Sequence, residues 1–220
     1  MAVAKQNEYL ASVVAELRKA WPDNRSVNLV FHGHSVPAGY FDTPRVDTFN
    51  AYPHLVHMEL KKRFPLAVIN VVVTARGGEN ADAGARRFAG DVLSHQPDVV
   101  FLDYALNDRS IGLEVAEKAW RSMIDEALGK GVKILLLTPT SDETQRPDYH
   151  GADRDQLPRH AEQIRKLASG YEVGLVDSFA AFADYQLNGD LKDLLSWVNH
   201  PNRKGHDLVA GDILPWFWPD

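Results

Sequence analysis

Four short segments carry side chains able to perform acyl transfer. His32-Gly33-His34-Ser35 sets a serine hydroxyl directly behind an apolar run, and paired with a base such a hydroxyl is a nucleophile. The same serine could equally be a helix N-cap. Asn199-His200-Pro201-Asn202 offers an imidazole in a loop, fixed by the following proline and suited to general-base work. In Ala105-Leu106-Asn107-Asp108 the Asn107 amide can donate to a developing oxyanion, or simply close an Asn-Asp turn. Thr74-Ala75-Arg76-Gly77-Gly78-Glu79-Asn80 holds paired glycines, which let backbone N–H groups approach a ligand closely. Its spacing fits neither a P-loop nor a dinucleotide fingerprint. Each segment alone has an ordinary structural reading. Together they supply a nucleophile, a base and oxyanion donors, the minimum set for acyl transfer.

The elements between these segments explain how they could meet. Short apolar runs at Val27–Phe31, Ala67–Val73, Val99–Leu102, Val132–Leu137 and Val173–Val176 read as buried strands. Helical spacing predicts helices at Tyr9–Trp21, Tyr52–Phe64, Asp82–Leu93, Leu113–Leu128, Leu157–Ala168 and Lys204–Trp216. Fully apolar strands alternating with helices predict an α/β fold, a five-stranded parallel sheet covered on both faces. In such sheets the site lies beyond the carboxyl ends of the strands, where all four segments fall or can be brought. The polar stretch Pro139–Gln156 is long for an idle loop.

These residues resemble the SGNH (GDSL-like) hydrolase family. Gly33-His34-Ser35 is similar to its Gly-Asp-Ser block, with Gly39 also in place. Gly78-Glu79-Asn80 is similar to the second block, Ala105-Leu106-Asn107-Asp108 to Gly-x-Asn-Asp, and His200-Pro201-Asn202 with Gly205-His206 to the last. Block order and spacing agree from Val27 to Ala210. The resemblance implies a flavodoxin-like three-layer α/β/α fold, in one domain over residues 1–220. It implies Ser35 as nucleophile, His200 as base, and an oxyanion hole of the Ser35 and Gly78 N–H groups with the Asn107 amide. It implies neither metal nor organic cofactor.

Two positions depart from the pattern. His34 replaces the acid beside the serine, and Trp197 stands where the triad aspartate belongs, three residues before His200. A backbone carbonyl near Trp197 is expected to orient His200 instead, giving a Ser-His dyad; Asp193 is the nearest acid, at the wrong spacing. His34, Tyr40 and Trp197 are expected to line the pocket. The pairs His32/His34 and His54/His57 lack a third ligand at a suitable spacing, so no metal is expected. His206 and the closing Trp216-Phe217-Trp218 read as packing.

Composition narrows the function. The 220-residue chain has no cysteine, which excludes disulfides and thiolate chemistry. Its formal net charge of -6, with no basic run beyond Lys61-Lys62-Arg63, argues against nucleic acid. No segment approaches the ~18 apolar residues of a membrane span. A cytoplasmic location is the default expectation, with secretion after signal removal left open. The expected partner is a small-molecule ester. The leading reading is a hydrolase of short-acyl carboxylic esters, carbohydrate or small-molecule; the competing one is a catalytically weak member that binds a carbohydrate or acyl ligand. The oligomeric state is not legible.

Overall fold

The computed structural model describes residues 2–218. Its sheet is built from β1 (Ser26–Gly33), β2 (Val68–Val73), β3 (Val99–Asp103), β4 (Lys133–Leu137) and β5 (Gly174–Val176). The strands are all parallel and run in the order β2-β1-β3-β4-β5. Apolar residues on both faces are what a doubly covered sheet needs, and alternation along the strands divides them between two cores. Leu29, Phe31, Val99, Phe101, Leu135 and Leu137 face one layer; Val30, Val100, Leu102, Ile134 and Leu136 face the other. Phe31 pairs in register with Phe101, and their rings stack at 4.0 Å.

One layer holds α1 (Gln6–Tyr9), α2 (Ala11–Leu17), α4 (Tyr52–Arg63), α8 (Ser178–Gln186) and α9 (Arg203–Ile213). The other holds α5 (Ala81–Asp91), α6 (Gly112–Leu128) and α7 (Gln156–Tyr171). A four-residue helix, α3 (Ser35–Ala38), follows β1 directly. The expected sheet and three layers are therefore present. The chain leaves β1 toward β2 on one side and later returns to β3 on the other, so the crevice lies beyond the ends of β1 and β3.

Several boundaries differ from expectation. The predicted helix over Tyr9–Trp21 breaks at Leu10 and ends at Leu17. Pro22 disfavours helical backbone at Trp21, whose side chain is 85% exposed rather than core. The final helix tightens into a 3-10 turn over Leu214–Phe217, and Trp216 and Phe217 are buried as packing residues. Helix α8 has no counterpart among the elements expected from the sequence. Its Asp177 side chain caps the Ala180 N–H at 3.2 Å, a local signal that was present. No helix among the described residues is long and apolar enough to cross a membrane.

Candidate active site

Backbone hydrogen bonds lace three of the four segments together at the carboxyl edge of the sheet. The N–H groups of Thr74 and Arg76 donate to the carbonyls of Phe31 (2.9 Å) and Gly33 (3.0 Å), and the His34 N–H donates to the Asp103 carbonyl (3.2 Å). Gly33 is required by this closeness, because a Cβ there would lie 2.3 Å from the Asp103 oxygen. The Asn107 side-chain amide donates to the Glu79 carbonyl at 3.0 Å, which joins the Gly77-Gly78 turn to the loop after β3. Asp108 is fully buried and accepts from Ala81 N–H and Trp120 Nε1, both at 2.7 Å. Burial pushes its carboxyl up to about 6, against the pull of those bonds. Asp108 thus anchors the start of α5 to α6.

Ser35 opens α3, where its own N–H has no place in the helical ladder. The residue capping this helix is His34, whose Nδ1 accepts from Val36 N–H at 3.1 Å. His34 does not line a pocket as expected; it is 1% exposed. With Nδ1 accepting, Nε2 carries the proton, and it stands 3.3 Å from Asp103 Oδ1 without the alignment of a hydrogen bond. Asp103 Oδ2 accepts from the Tyr52 hydroxyl at 3.0 Å. His32 shares no face with it: its ring meets the Thr74 hydroxyl (2.8 Å) and the Gly84 carbonyl (3.2 Å), and burial lowers it to about 4. No cluster of three or more potential metal ligands exists among the described residues.

The fourth segment arrives from a small hairpin. Leu195 and Pro201 form an antiparallel bridge, with Ser196 N–H donating to the His200 carbonyl at 2.9 Å. Asn202 then caps α9 through Gly205 N–H (3.1 Å) and ties the loop back by its amide to the Asp193 and Leu195 carbonyls. A Cβ at Gly205 would strike the Leu194 carbonyl at 2.5 Å, so the closing Gly-His pair has a steric reason for its glycine. His206 is fully buried and accepts from Tyr52 N–H at 3.2 Å.

His200 Nε2 accepts from the Ser35 hydroxyl at 2.9 Å, and His200 Nδ1 donates to the Phe41 carbonyl at 2.8 Å. The tautomer follows from the chemistry, since a carbonyl only accepts: Nδ1 carries the proton and Nε2 is free to take one. The orienting carbonyl comes from the loop after α3 and not from the neighbourhood of Trp197. Gly39, at φ +92°, turns the chain out of α3, and the Tyr40–Val46 bridge and Asp47 N–H to the Gly39 carbonyl (2.7 Å) hold the loop. Asp193 does not reach His200; its carboxylate accepts from the Tyr185 hydroxyl at 3.0 Å. The Tyr40 and Trp197 rings stand 6.2 and 6.3 Å from the His200 ring, and Trp197 is 49% exposed.

The loop after β4 fastens the rest. Asp142 is buried, pairs with Arg109 at 2.7 Å and caps Thr144 N–H, while Glu143 N–H donates to the Val198 carbonyl at 2.9 Å. Arg109 Nε donates to the Leu106 carbonyl at 3.0 Å. One polar loop therefore holds the Asn107 and His200 segments in place, a role that the sequence reading did not assign to Arg109 or Asp142.

The model of the GDSL-like Lipase/Acylhydrolase family matches residues 31–208. This chain belongs to that family. No curated protein sequence matches it significantly. Among solved structures, an acetylxylan esterase from Geobacillus stearothermophilus is 22% identical at a TM-score of 0.75, over 87% of this chain and 94% of its own. A second acetyl xylan esterase is 26% identical at a TM-score of 0.73, over 85% and 98%. A two-domain esterase active on acetylated mannans is 21% identical at 0.73, over 95% of this chain and 52% of its own. The fold of this SGNH member is thus that of known esterases.

Burial lowers the affinity of His200 for a proton below that of an ordinary imidazole, helped by the His34 ring and opposed by the Phe41 carbonyl. The base must be neutral to act. Activity that depends on His200 is therefore expected to persist below pH 6.5 and to fall as pH drops through the lowered pKa. A profile of kcat/KM from about pH 4 to 8 measures this midpoint in the free enzyme. A midpoint above 6.5 would mean that a negative charge, and not only the Phe41 carbonyl, stabilises the imidazolium.

Proposed function

We propose that this protein is a serine hydrolase that cleaves short-acyl carboxylic esters of a carbohydrate or small molecule. The observation that carries the reading is the chain from the Ser35 hydroxyl through the His200 ring to the Phe41 carbonyl, at 2.9 and 2.8 Å. As the Ser35 oxygen bonds to the ester carbon, its proton passes to His200 Nε2. The Phe41 carbonyl keeps the doubly protonated ring in orientation. Negative charge on the former carbonyl oxygen is met by the Ser35 and Gly78 N–H groups and by the second amide hydrogen of Asn107, whose first is held by Glu79. The tetrahedral species collapses, and the alcohol leaves with the proton from His200. Water, deprotonated by the same nitrogen, then releases the carboxylic acid and restores Ser35.

The substrate class rests on the rim and on the structural relatives. Tyr40 and Trp197 offer aromatic walls to a sugar ring, and the matching solved structures are esterases of acetylated glycans. The absence of a carboxylate on His200 favours the second reading, a binder with little turnover. Hydrolysis of nitrophenyl acetate, butyrate and octanoate, together with mass spectrometry after an organophosphonate, tests both. The acetate ester is expected to be cleaved fastest, with one phosphonate adduct, on Ser35. No adduct and no turnover would leave the binder standing, and octanoate preferred over acetate would overturn the short-acyl assignment.

A further inference from the structure

Helices α6 and α7 begin beside one cavity of about 330 Å³, lined by Arg109, Gly112, Leu113, Gln156, Arg159 and His160. No carboxylate is among these six. Neither helix has a side-chain cap at its first turn, so the N-terminal N–H groups of both are left without that partner. Such ends carry partial positive charge and favour anions. His160 is 3% exposed, yet its Nδ1 has no hydrogen-bond partner. A buried polar atom left in that state calls for an explanation, and a missing ligand is one. Burial first, then the Arg109 and Arg159 guanidiniums, push His160 down to about 4, so the ring is neutral and sits close to both cations.

Glu114 stands in the first turn of α6 but is exposed and does not line the cavity, and the other acids nearby are engaged or lie elsewhere. Asp142 is paired with Arg109 from the loop after β4, and Asp153 is held by the Tyr149 hydroxyl. Asp155 belongs to the adjoining groove, where Glu117 and Glu162 mix with Arg121 and Lys166. The smaller cavity has cations and free donors without a lining carboxylate.

We propose that this cavity binds a small oxyanion, a carboxylate or phosphate group, between Arg109, Arg159, His160 and the first turn of α6. Arg159 supplies charge-assisted donors, Arg109 adds the guanidinium N–H groups not held by Asp142 and Leu106, the α6 N–H groups supply neutral ones, and the His160 ring supplies its remaining hydrogen-bonding capacity. The site does not depend on ester chemistry. It adjoins it, because Arg109 Nε donates to the carbonyl of Leu106, one residue before Asn107.

The test is imidazole NMR on the labelled whole protein, with His160 assigned through His160→Gln. Inorganic phosphate, glucuronate and, as a neutral control, glucose are titrated separately. Both anions are expected to move the His160 signals and to raise its pKa, with glucose inert. Whichever anion binds more tightly distinguishes a free or esterified phosphate from an acidic sugar. Arg159 is exposed, so Arg159→Ala should keep the fold, checked by unchanged signals elsewhere, and weaken both anions about tenfold or more. A His160 that answers neither anion, or that answers equally in Arg159→Ala, would falsify the site.

Discussion

Ser35→Ala is expected to cut ester turnover by a factor of at least about 10², and of at most about 10⁶, the loss seen when a well-studied serine protease with an intact triad loses its serine or histidine. Asp193→Asn, by contrast, should leave turnover essentially unchanged, because that carboxylate faces Tyr185 and not His200. The two variants are compared on nitrophenyl acetate, with the circular dichroism of each as a check on folding. The contrast bears on how a serine hydrolase works without a triad aspartate. In a protease, replacing that acid costs about 10⁴, and much of the loss comes from the imidazole adopting the wrong tautomer. Here the Phe41 carbonyl, like a carboxylate, can only accept a proton from Nδ1, though less strongly, so Nε2 is left as the acceptor. What a carbonyl lacks is the full charge that steadies the imidazolium. The protein should therefore be slower than a triad enzyme while remaining dependent on Ser35. Equal losses in Ser35→Ala and Asp193→Asn would show that Asp193 supports His200 in some form of the enzyme, and the dyad would be wrong.

The sheet was legible because its strands are apolar on both faces, a pattern that few other architectures require. The four site segments were legible because each follows a strand or stands beside a helix cap, and their order matched a known family. What stayed hidden depended on backbone atoms and on distant contacts. A carbonyl has no sequence signature, so nothing in the residue type of Phe41 announced that it would orient His200. The acid sought beside His200 on the Asp-x-x-His pattern had no counterpart, and the loop after α3, bent at Gly39, met the need instead. His34 was misread because a side chain adjoining a nucleophile is expected to face the substrate. In the structure the turn of β1 into α3 points Ser35 at His200 and His34 toward Asp103. The Arg109–Asp142 pair spans two loops more than thirty residues apart, beyond the reach of local spacing. The α8 helix was missed for a different reason: only Ser178 and Phe182 of its nine residues are buried, too few to show an apolar stripe.

His34→Asp restores the residue usual in the family, and here it is expected to do harm. Asp103 lies 3.3 Å from the His34 ring, with side-chain exposures of only 5% and 1%. An aspartate at 34 would set two carboxylates against each other in a site that neither can leave, and one would have to take up a proton to remain. It would also surrender the Nδ1 that caps Val36 N–H, unless its own oxygen took over that bond. Asp103→Ala attacks the same contact from the other side. It strands the buried Tyr52 hydroxyl, a donor that costs about 1–3 kcal/mol when unpaired. A loss of roughly 3–5 kcal/mol, that of a buried uncompensated charge, is expected for His34→Asp, and a smaller one of about 1–3 kcal/mol for Asp103→Ala. In a chain of this length the larger loss lowers the thermal midpoint by roughly 10 °C. The double variant His34→Asp with Asp103→Asn removes the repulsion while keeping an acceptor for Tyr52, and should recover much of the stability. Thermal unfolding of His34→Asp, Asp103→Asn and their double closes the cycle, and the coupling between the positions should be large because they touch. Since His34 caps the helix that presents Ser35 and its N–H, the singles should lose kcat before they lose KM. Additive effects with no coupling would mean that the contact beneath the nucleophile is incidental. Strong coupling would mean that the His34–Asp103 contact supports the helix that presents Ser35.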